Sequence, residues 1–238
     1  MHTVLITGSS KGLGASLIRK FAENDYNVII TYNTSVDDAY RLKDEIGKYN
    51  IEVNIVKCDI TNENDIINLF NTYKVDILIN NAALSMDNDI MNKTKAEFTK
   101  VLEVNLVGTF LMCKEAIKKG VKEIINISST DSLNTYNSLN IDYSSSKAGI
   151  NIVTKAIAEF FPGIRIFAVL PNWIKTESVI EMSQDFLNKE LKRIGQEKLL
   201  DKCEVANTIY ELYKNRNIKS GSLVKIDYEG GLCIEVLE

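Results

Sequence analysis

Tyr143 and Lys147 stand four residues apart in a stretch with helical patterning, so they share one face. An ammonium held beside a phenol favours the phenolate and lowers the phenol's pKa. A tyrosine so tuned gives or takes a proton near neutral pH, the work usually done by histidine. The only histidine, His2, sits at the extreme N-terminus, which argues against a Ser-His-Asp hydrolase and most histidine-based schemes. The spacing alone is weak evidence, because Tyr210 and Lys214 repeat it in an ordinary amphipathic C-terminal pattern. Position separates the two pairs: a strand ending in Ser128-Ser129 precedes Tyr143, and nothing similar precedes Tyr210.

A second constellation lies at the N-terminus. The apolar run Val4-Leu5-Ile6 leads into Thr7-Gly8-Ser9-Ser10-Lys11-Gly12-Leu13-Gly14, a strand, a glycine-rich turn and a helix start. There, backbone N–H groups and the positive helix end face a pyrophosphate. Gly8 allows a tight turn, Gly12 a close phosphate approach, and Gly14 close packing of helix on strand. The spacing departs from G-x-G-x-x-G, so the cluster needs the rest of the chain for support.

The elements that must position these residues follow from the hydrophobic pattern. Strands are expected at 4–7, 28–32, 53–59, 77–80, 123–128, 165–170 and 223–227. Helical patterns fall at 13–24, 37–48, 65–73, 96–119, 143–161 and 205–214. This alternation predicts an α/β fold, a single doubly wound (Rossmann) domain with a seven-stranded parallel sheet flanked by helices. Runs such as Val28-Ile29-Ile30 and Ile77-Leu78-Ile79 fit strands covered on both faces. With two prolines and no Gly/Ser-rich linker or repeat, residues 1–238 read as one domain. In such sheets ligands bind beyond the carboxyl ends of the strands, where the candidate polar residues cluster.

Composition bounds the function. The net charge of −4 favours neither nucleic acid nor an acidic membrane surface. Cys58, Cys113, Cys203 and Cys233 are widely spaced, which disfavours a zinc site or disulfide framework and points to a reducing cytoplasm. The chain runs directly into its first strand and has no apolar stretch of membrane-spanning length, so neither a signal peptide nor a membrane partner is expected.

Taken together, the motifs resemble the short-chain dehydrogenase/reductase family over nearly the whole chain, and most resemble its 3-oxoacyl-[acyl-carrier-protein] reductases. The T-G-x-x-x-G-x-G turn is Thr7–Gly14, and N-N-A-G is matched by Asn80-Asn81-Ala82-Ala83. The family's catalytic Asn matches Asn105, its Ser matches Ser129, and Y-x-x-x-K is Tyr143 with Lys147. P-G-x-x-x-T is matched by Pro171-Asn172-Trp173-Ile174-Lys175-Thr176. The resemblance implies that Tyr143 protonates a carbonyl oxygen as hydride arrives from a nicotinamide, or acts as base in reverse. Lys147, helped by a cationic nicotinamide, lowers the phenol's pKa and bonds the ribose. Ser129 polarises the carbonyl, and Asn105 holds a water that links Lys147 to solvent. Ser128, Thr130 or Ser132 are alternatives to Ser129, because the gap to Tyr143 is one residue longer than usual. Ala83 and Asn172 replace family glycines.

The resemblance also implies cofactor contacts from Gly8, Ser9, Ser10, Lys11, Gly12, Leu13, Gly14, Thr31, Asn33 and Thr34. Further contacts come from Asp59 and Ile60 around the adenine, from Asn81 and Ala82 near its ribose, and from Tyr143, Lys147, Pro171, Ile174 and Thr176. No carboxylate ends the second strand (Tyr32-Asn33-Thr34-Ser35) to meet a ribose 2′-OH, and Lys11 stands where a 2′-phosphate would be attracted. NADP(H) is therefore expected over NAD(H). The expected reaction is reduction of a small-molecule or acyl-thioester carbonyl. The alternatives are a sugar, polyol or alcohol dehydrogenase and a non-catalytic sensor. Lys118, Lys119 and Lys122 offer a basic patch for an acidic carrier, although the basic residue such reductases often carry before the sixth strand is Pro162 here. Residues 176–200, with Ile180, Met182, Phe186 and Leu187, should cover the substrate. A homotetramer or homodimer is expected through 96–119 and 143–161.

Overall fold

The computed structural model describes residues 1–135 and 137–237; positions 136 and 238 of the expected 1–238 domain lie outside the described residues. The strands are β1 (Thr3–Ile6), β2 (Asn27–Tyr32), β3 (Val53–Lys57), β4 (Ile77–Asn80), β5 (Glu123–Ile127), β6 (Arg165–Pro171), β7 (Leu223–Tyr228) and β8 (Leu232–Leu237). They form one sheet in the order β3-β2-β1-β4-β5-β6-β7-β8, parallel except for the β7–β8 pair. The chain reverses its winding between β1 and β4, which opens a crevice at their carboxyl ends.

Strand side chains alternate between two cores. Val4 and Ile6 face one with Val28, Ile30, Phe167 and Val224, under α1 (Gly12–Ala22), α2 (Val36–Ile46) and α9 (Lys202–Lys214). Leu5 faces the other with Ile29, Leu78, Ile124 and Ile166. That side is covered by α3 (Glu63–Thr72), α5 (Thr109–Lys118) and α6 (Ile141–Phe160). Burial on both faces explains why the strands read as unbroken apolar runs.

Two expectations are corrected. The sheet has eight strands among the described residues, not seven. Gly230, at φ 66°, turns the chain, Glu229 N–H donates to Gly231 C=O at 3.0 Å, and β8 pairs antiparallel with β7. The helix expected over 96–119 is interrupted. It comprises α4 (Lys95–Leu102), a π-helical turn (Glu103–Gly108) and α5. The covering segment holds α7 (Glu177–Ile180) and α8 (Gln184–Ile194). Ser183 Oγ caps α8 by accepting from Phe186 N–H, and Gly195, at φ 74°, ends it.

Candidate active site

The glycine turn is built for close approach. Gly8 and Gly12 have φ of 59° and 60°, and α1 begins with no side-chain cap and no acidic residue in its first turn. A Cβ on Gly8 would stand 2.9 Å from Ala82 Cα, and one on Gly14 would stand 2.6 Å from Asn81 Nδ2. Uncapped N–H groups at a helix start whose first turn carries no acid fit a pyrophosphate. Two threonines hold the turn. Thr7 Oγ1 accepts from Asn81 N–H (2.9 Å) and Ala82 N–H (3.0 Å). Thr31 Oγ1 accepts from Gly8 N–H (3.0 Å) and donates to Ile6 C=O (3.1 Å), and Ser9 Oγ accepts from Thr31 N–H (2.9 Å). Buried Thr31 is therefore a support beneath the turn. Asn81 Nδ2 likewise donates to the carbonyls of Thr7 (3.0 Å) and Gly8 (3.1 Å).

Around this turn, Asn33 Nδ2 donates to Asp59 Oδ2 at 3.3 Å. Partial burial raises the Asp59 pKa, but hydrogen bonds from Thr61 and Asn33 outweigh it and hold the carboxyl below its usual range. Ile60 packs under Gly108, where an added Cβ would meet its side chain at 2.8 Å. Lys11, Asn33 and Thr34 are exposed, whereas Ser9, Ser10 and Leu13 are buried. The corner at Thr176–Glu177 leans over the turn, with Glu177 Oε2 3.7 Å from the Cβ position of Gly12. Glu177 pairs with Lys202, which lowers its pKa.

The second constellation forms at the carboxyl end of β5. Lys147 is buried, donates from Nζ to Ile127 C=O at 2.7 Å, and lies 5.3 Å from the Tyr143 ring centroid. Burial pushes its pKa down to about 7. The half-buried Tyr143 departs from expectation. Burial raises its phenol pKa, the Asp131 and Asp87 charges raise it further, and only a hydrogen bond with Ser129 opposes them. Of the four hydroxyls considered, Ser129 is the one that meets the phenol. Ser128 Oγ donates to Lys147 C=O (3.0 Å), Thr130 Oγ1 to Asn172 Oδ1 (3.1 Å), and Ser132 Oγ to Ser129 C=O.

Asn105 points inward from the π-helical turn, a local widening frequent at functional sites. Its Oδ1 accepts from Leu84 N–H (2.7 Å), and its Nδ2 donates to Leu84 C=O (2.9 Å) and Ser146 Oγ (3.0 Å). The carboxamide is thus committed to clasping the 84–93 loop. Ala83 and Asn172 are unstrained, since Asp25 is the only non-glycine with positive φ among the described residues. Asn172 has a use of its own, donating to Asp227 Oδ1 at 3.0 Å.

A family profile described as short chain dehydrogenase matches residues 2–186. The chain belongs to the short-chain dehydrogenase family. It is therefore an oxidoreductase of the kind that acts on CH–OH and C=O groups with NAD(P)(H). A 3-oxoacyl-[acyl-carrier-protein] reductase of Aquifex aeolicus is 32% identical over 86% of this chain and 87% of its own. Glucose 1-dehydrogenase 2 of Bacillus subtilis is 29% identical over 81% of this chain and 80% of its own. A crystal structure of a dehydrogenase/reductase from Sinorhizobium meliloti superposes with a TM-score of 0.87 at 22% identity, covering 94% of this chain and 92% of that one. No helix among the described residues is long and apolar enough to cross a membrane.

Within this dehydrogenase the structure adds groups that the sequence reading missed. Asp131, buried beside Ser129, accepts at Oδ1 from Thr135 Oγ1 at 2.9 Å. Burial raises its pKa, and Arg193 of α8 opposes the shift. Arg193 donates to Thr135 C=O (3.4 Å) and to Glu190 Oε2 (2.9 Å), tying the cover helix to the active-site loop. The apolar cover residues divide: Leu187 is buried, Phe186 lies tilted at 45° to Trp173 with centroids 6.3 Å apart, and Ile180 is exposed. The one sequence signal for Asp131 was its place two residues after Ser129.

Proposed function

We propose that this protein is an NADPH-dependent carbonyl reductase, working as one NAD(P)-binding domain. The observation that carries the reading is the meeting of Tyr143, Ser129 and Lys147 at the same carboxyl edge of the sheet as a glycine turn that fits a pyrophosphate. A bound nicotinamide supplies the hydride. Tyr143, whose raised pKa keeps it protonated, donates its proton to the carbonyl oxygen that Ser129 polarises. Lys147 in its charged form stabilises the phenolate left behind, and Asn105 fixes the wall of the cleft through Leu84. Gly8, Ser9, Ser10, Gly12, Leu13 and Gly14 cradle the pyrophosphate, and Asp59, Ile60, Asn81 and Ala82 border the adenosine. Pro171, Ile174 and Thr176 border the nicotinamide.

Exposed Lys11, with no acid at the end of β2, supports NADPH over NADH. Cysteine usage supports a cytoplasmic home. Val107, Phe110, Ile152 and Phe160 are exposed on the π turn, α5 and α6, which supports a homodimer or homotetramer through those helices.

Similarity to 3-oxoacyl reductases supports an acyl-thioester substrate. The Lys118, Lys119 and Lys122 patch gives that substrate no support. It precedes β5, and the candidate site lies beyond the opposite, carboxyl end of that strand. The polar surroundings of the phenol favour a second reading, oxidation of a hydroxylated substrate. Asp131 acts on the phenol through its charge, and Asn140, which bonds Asp131, keeps a buried Oδ1 acceptor with no hydrogen-bond partner. Turnover of an acetoacetyl thioester with NADPH and with NADH, beside oxidation of glucose and small polyols with NADP⁺, separates the readings. Thioester reduction faster with NADPH is expected. Polyol oxidation without thioester reduction selects the second reading, and no turnover of either overturns both.

A further inference from the structure

The 84–93 loop walls the cleft over Tyr143 and carries Asp87, whose charge reaches the phenol. It is held at three places. Asn105 clasps Leu84, Asn88 N–H donates to Leu139 C=O at 2.8 Å, and Lys93 turns its side chain inward. A tight turn sets up the third. Asp89 C=O accepts from the amides of Asn92 (2.9 Å) and Lys93 (2.8 Å). The Lys93 side chain is 3% exposed, and its Nζ donates to Asp142 Oδ2 at 3.0 Å and to Met86 C=O. The Asp142 side chain is fully buried, and its Oδ1 accepts from Tyr143 N–H at 2.9 Å. One carboxylate thus joins a lysine of the loop to the backbone of Tyr143 in the first turn of α6.

Stability does not account for this pair. Desolvating two charges offsets most of their attraction, and apolar residues of similar volume would hold the two segments as well. What the ion pair adds is direction, because the ammonium meets an acceptor in the loop and a carboxylate bonded to the Tyr143 amide.

We propose that Lys93 is a positioning residue, which locks the 84–93 loop to the start of α6 through Asp142 and so fixes the phenol of Tyr143 against its wall. The inference rests on the reading of Tyr143 as proton donor. The other charges facing this region are Asp87 on the loop, Asp131 beside Ser129, Lys147 on α6 and Glu97 on α4, which senses Lys93.

Three variants test it: K93M, D142N and the double variant. K93M strands a buried carboxylate. D142N strands a buried ammonium, while its amide oxygen can still accept from the Tyr143 backbone. The melting temperature falls below the parent's in each single variant, and in the double by less than the sum of the two losses. Hydrogen exchange over 84–93 speeds up roughly tenfold in each single variant and by no more than that in the double, since either change alone opens the lock. With NADPH and an acetoacetyl thioester, below each variant's melting range, kcat falls about tenfold in each single variant and about as far in the double, with NADPH Kd within about twofold throughout.

Parent-like exchange over 84–93 in both single variants overturns the lock, whether or not the thioester is a substrate. Faster exchange with kcat within about twofold of the parent overturns positioning and leaves a fold contact. A double variant that regains the parent rate shows a stranded charge rather than a lost lock and overturns positioning, and one whose loss is the product of the two single losses overturns the coupling. Full activity in Tyr143→Phe overturns the proton-donor reading instead, and is recognisable because the exchange results stand apart from it.

Discussion

Burial takes Lys147 from a lysine charged at every neutral pH to one that titrates at about 7. Its value in the unfolded chain is about 10.4, so the folded state binds the proton less well. The stability it contributes is therefore fully present above about pH 10, is lost as pH falls toward 7, and is constant below that. Near neutral pH this costs on the order of 4 kcal/mol, against about 1 kcal/mol returned by the bond to Ile127 C=O. Lys147→Met should raise the melting temperature at pH 7 while abolishing turnover. The gain should shrink toward pH 10, as thermal melts across that range would show. The Tyr143–Lys147 pair was legible from its spacing together with its place after Ser128-Ser129. The raised pKa of the phenol was not, because it depends on where two loops place Asp131 and Asp87. The choice of Ser129 over its neighbours likewise needed the direction of each hydroxyl.

At the scale of elements, the glycine turn, the parallel strands and the long helix bearing Tyr143 follow from pattern and turn chemistry. Two elements did not. β8 is a short alternating run after Gly230-Gly231, a hairpin signal hidden by the expectation that strands here are joined by helices. The π-helical turn leaves no compositional mark, since Glu103–Gly108 has the residues of an ordinary helix. It matters because it turns Asn105 inward onto Leu84. The helices on this side also expose Phe110, Ile152 and Phe160, an apolar surface with which a second copy of the chain would be covered. Phe110→Glu combined with Ile152→Glu should yield a monomer by light scattering, with its fold retained by circular dichroism. An unchanged oligomer would place the interface elsewhere, and a monomeric parent would remove it.

The whole molecule gathers its candidate chemistry along one edge of the sheet. Glycines come from the end of β1, Asn33 follows β2, Asp59 follows β3, Asn81 follows β4, Ser129 follows β5, and Thr176 follows β6. That convergence was legible because each motif follows a strand in a parallel sheet. The cover was less legible, since an amphipathic helix reads the same whether its inner face lines a pocket or ties down a loop, as Arg193 does on α8. The central claim, that Tyr143 moves the proton beside a bound nicotinamide, is tested most directly by Tyr143→Phe. On whichever carbonyl or alcohol proves to be turned over, the rate should fall about 10²–10⁴-fold, while NADPH binding, followed by its fluorescence, stays within about threefold. Turnover within about threefold of the parent would contradict the account, because another group would then have to carry the proton.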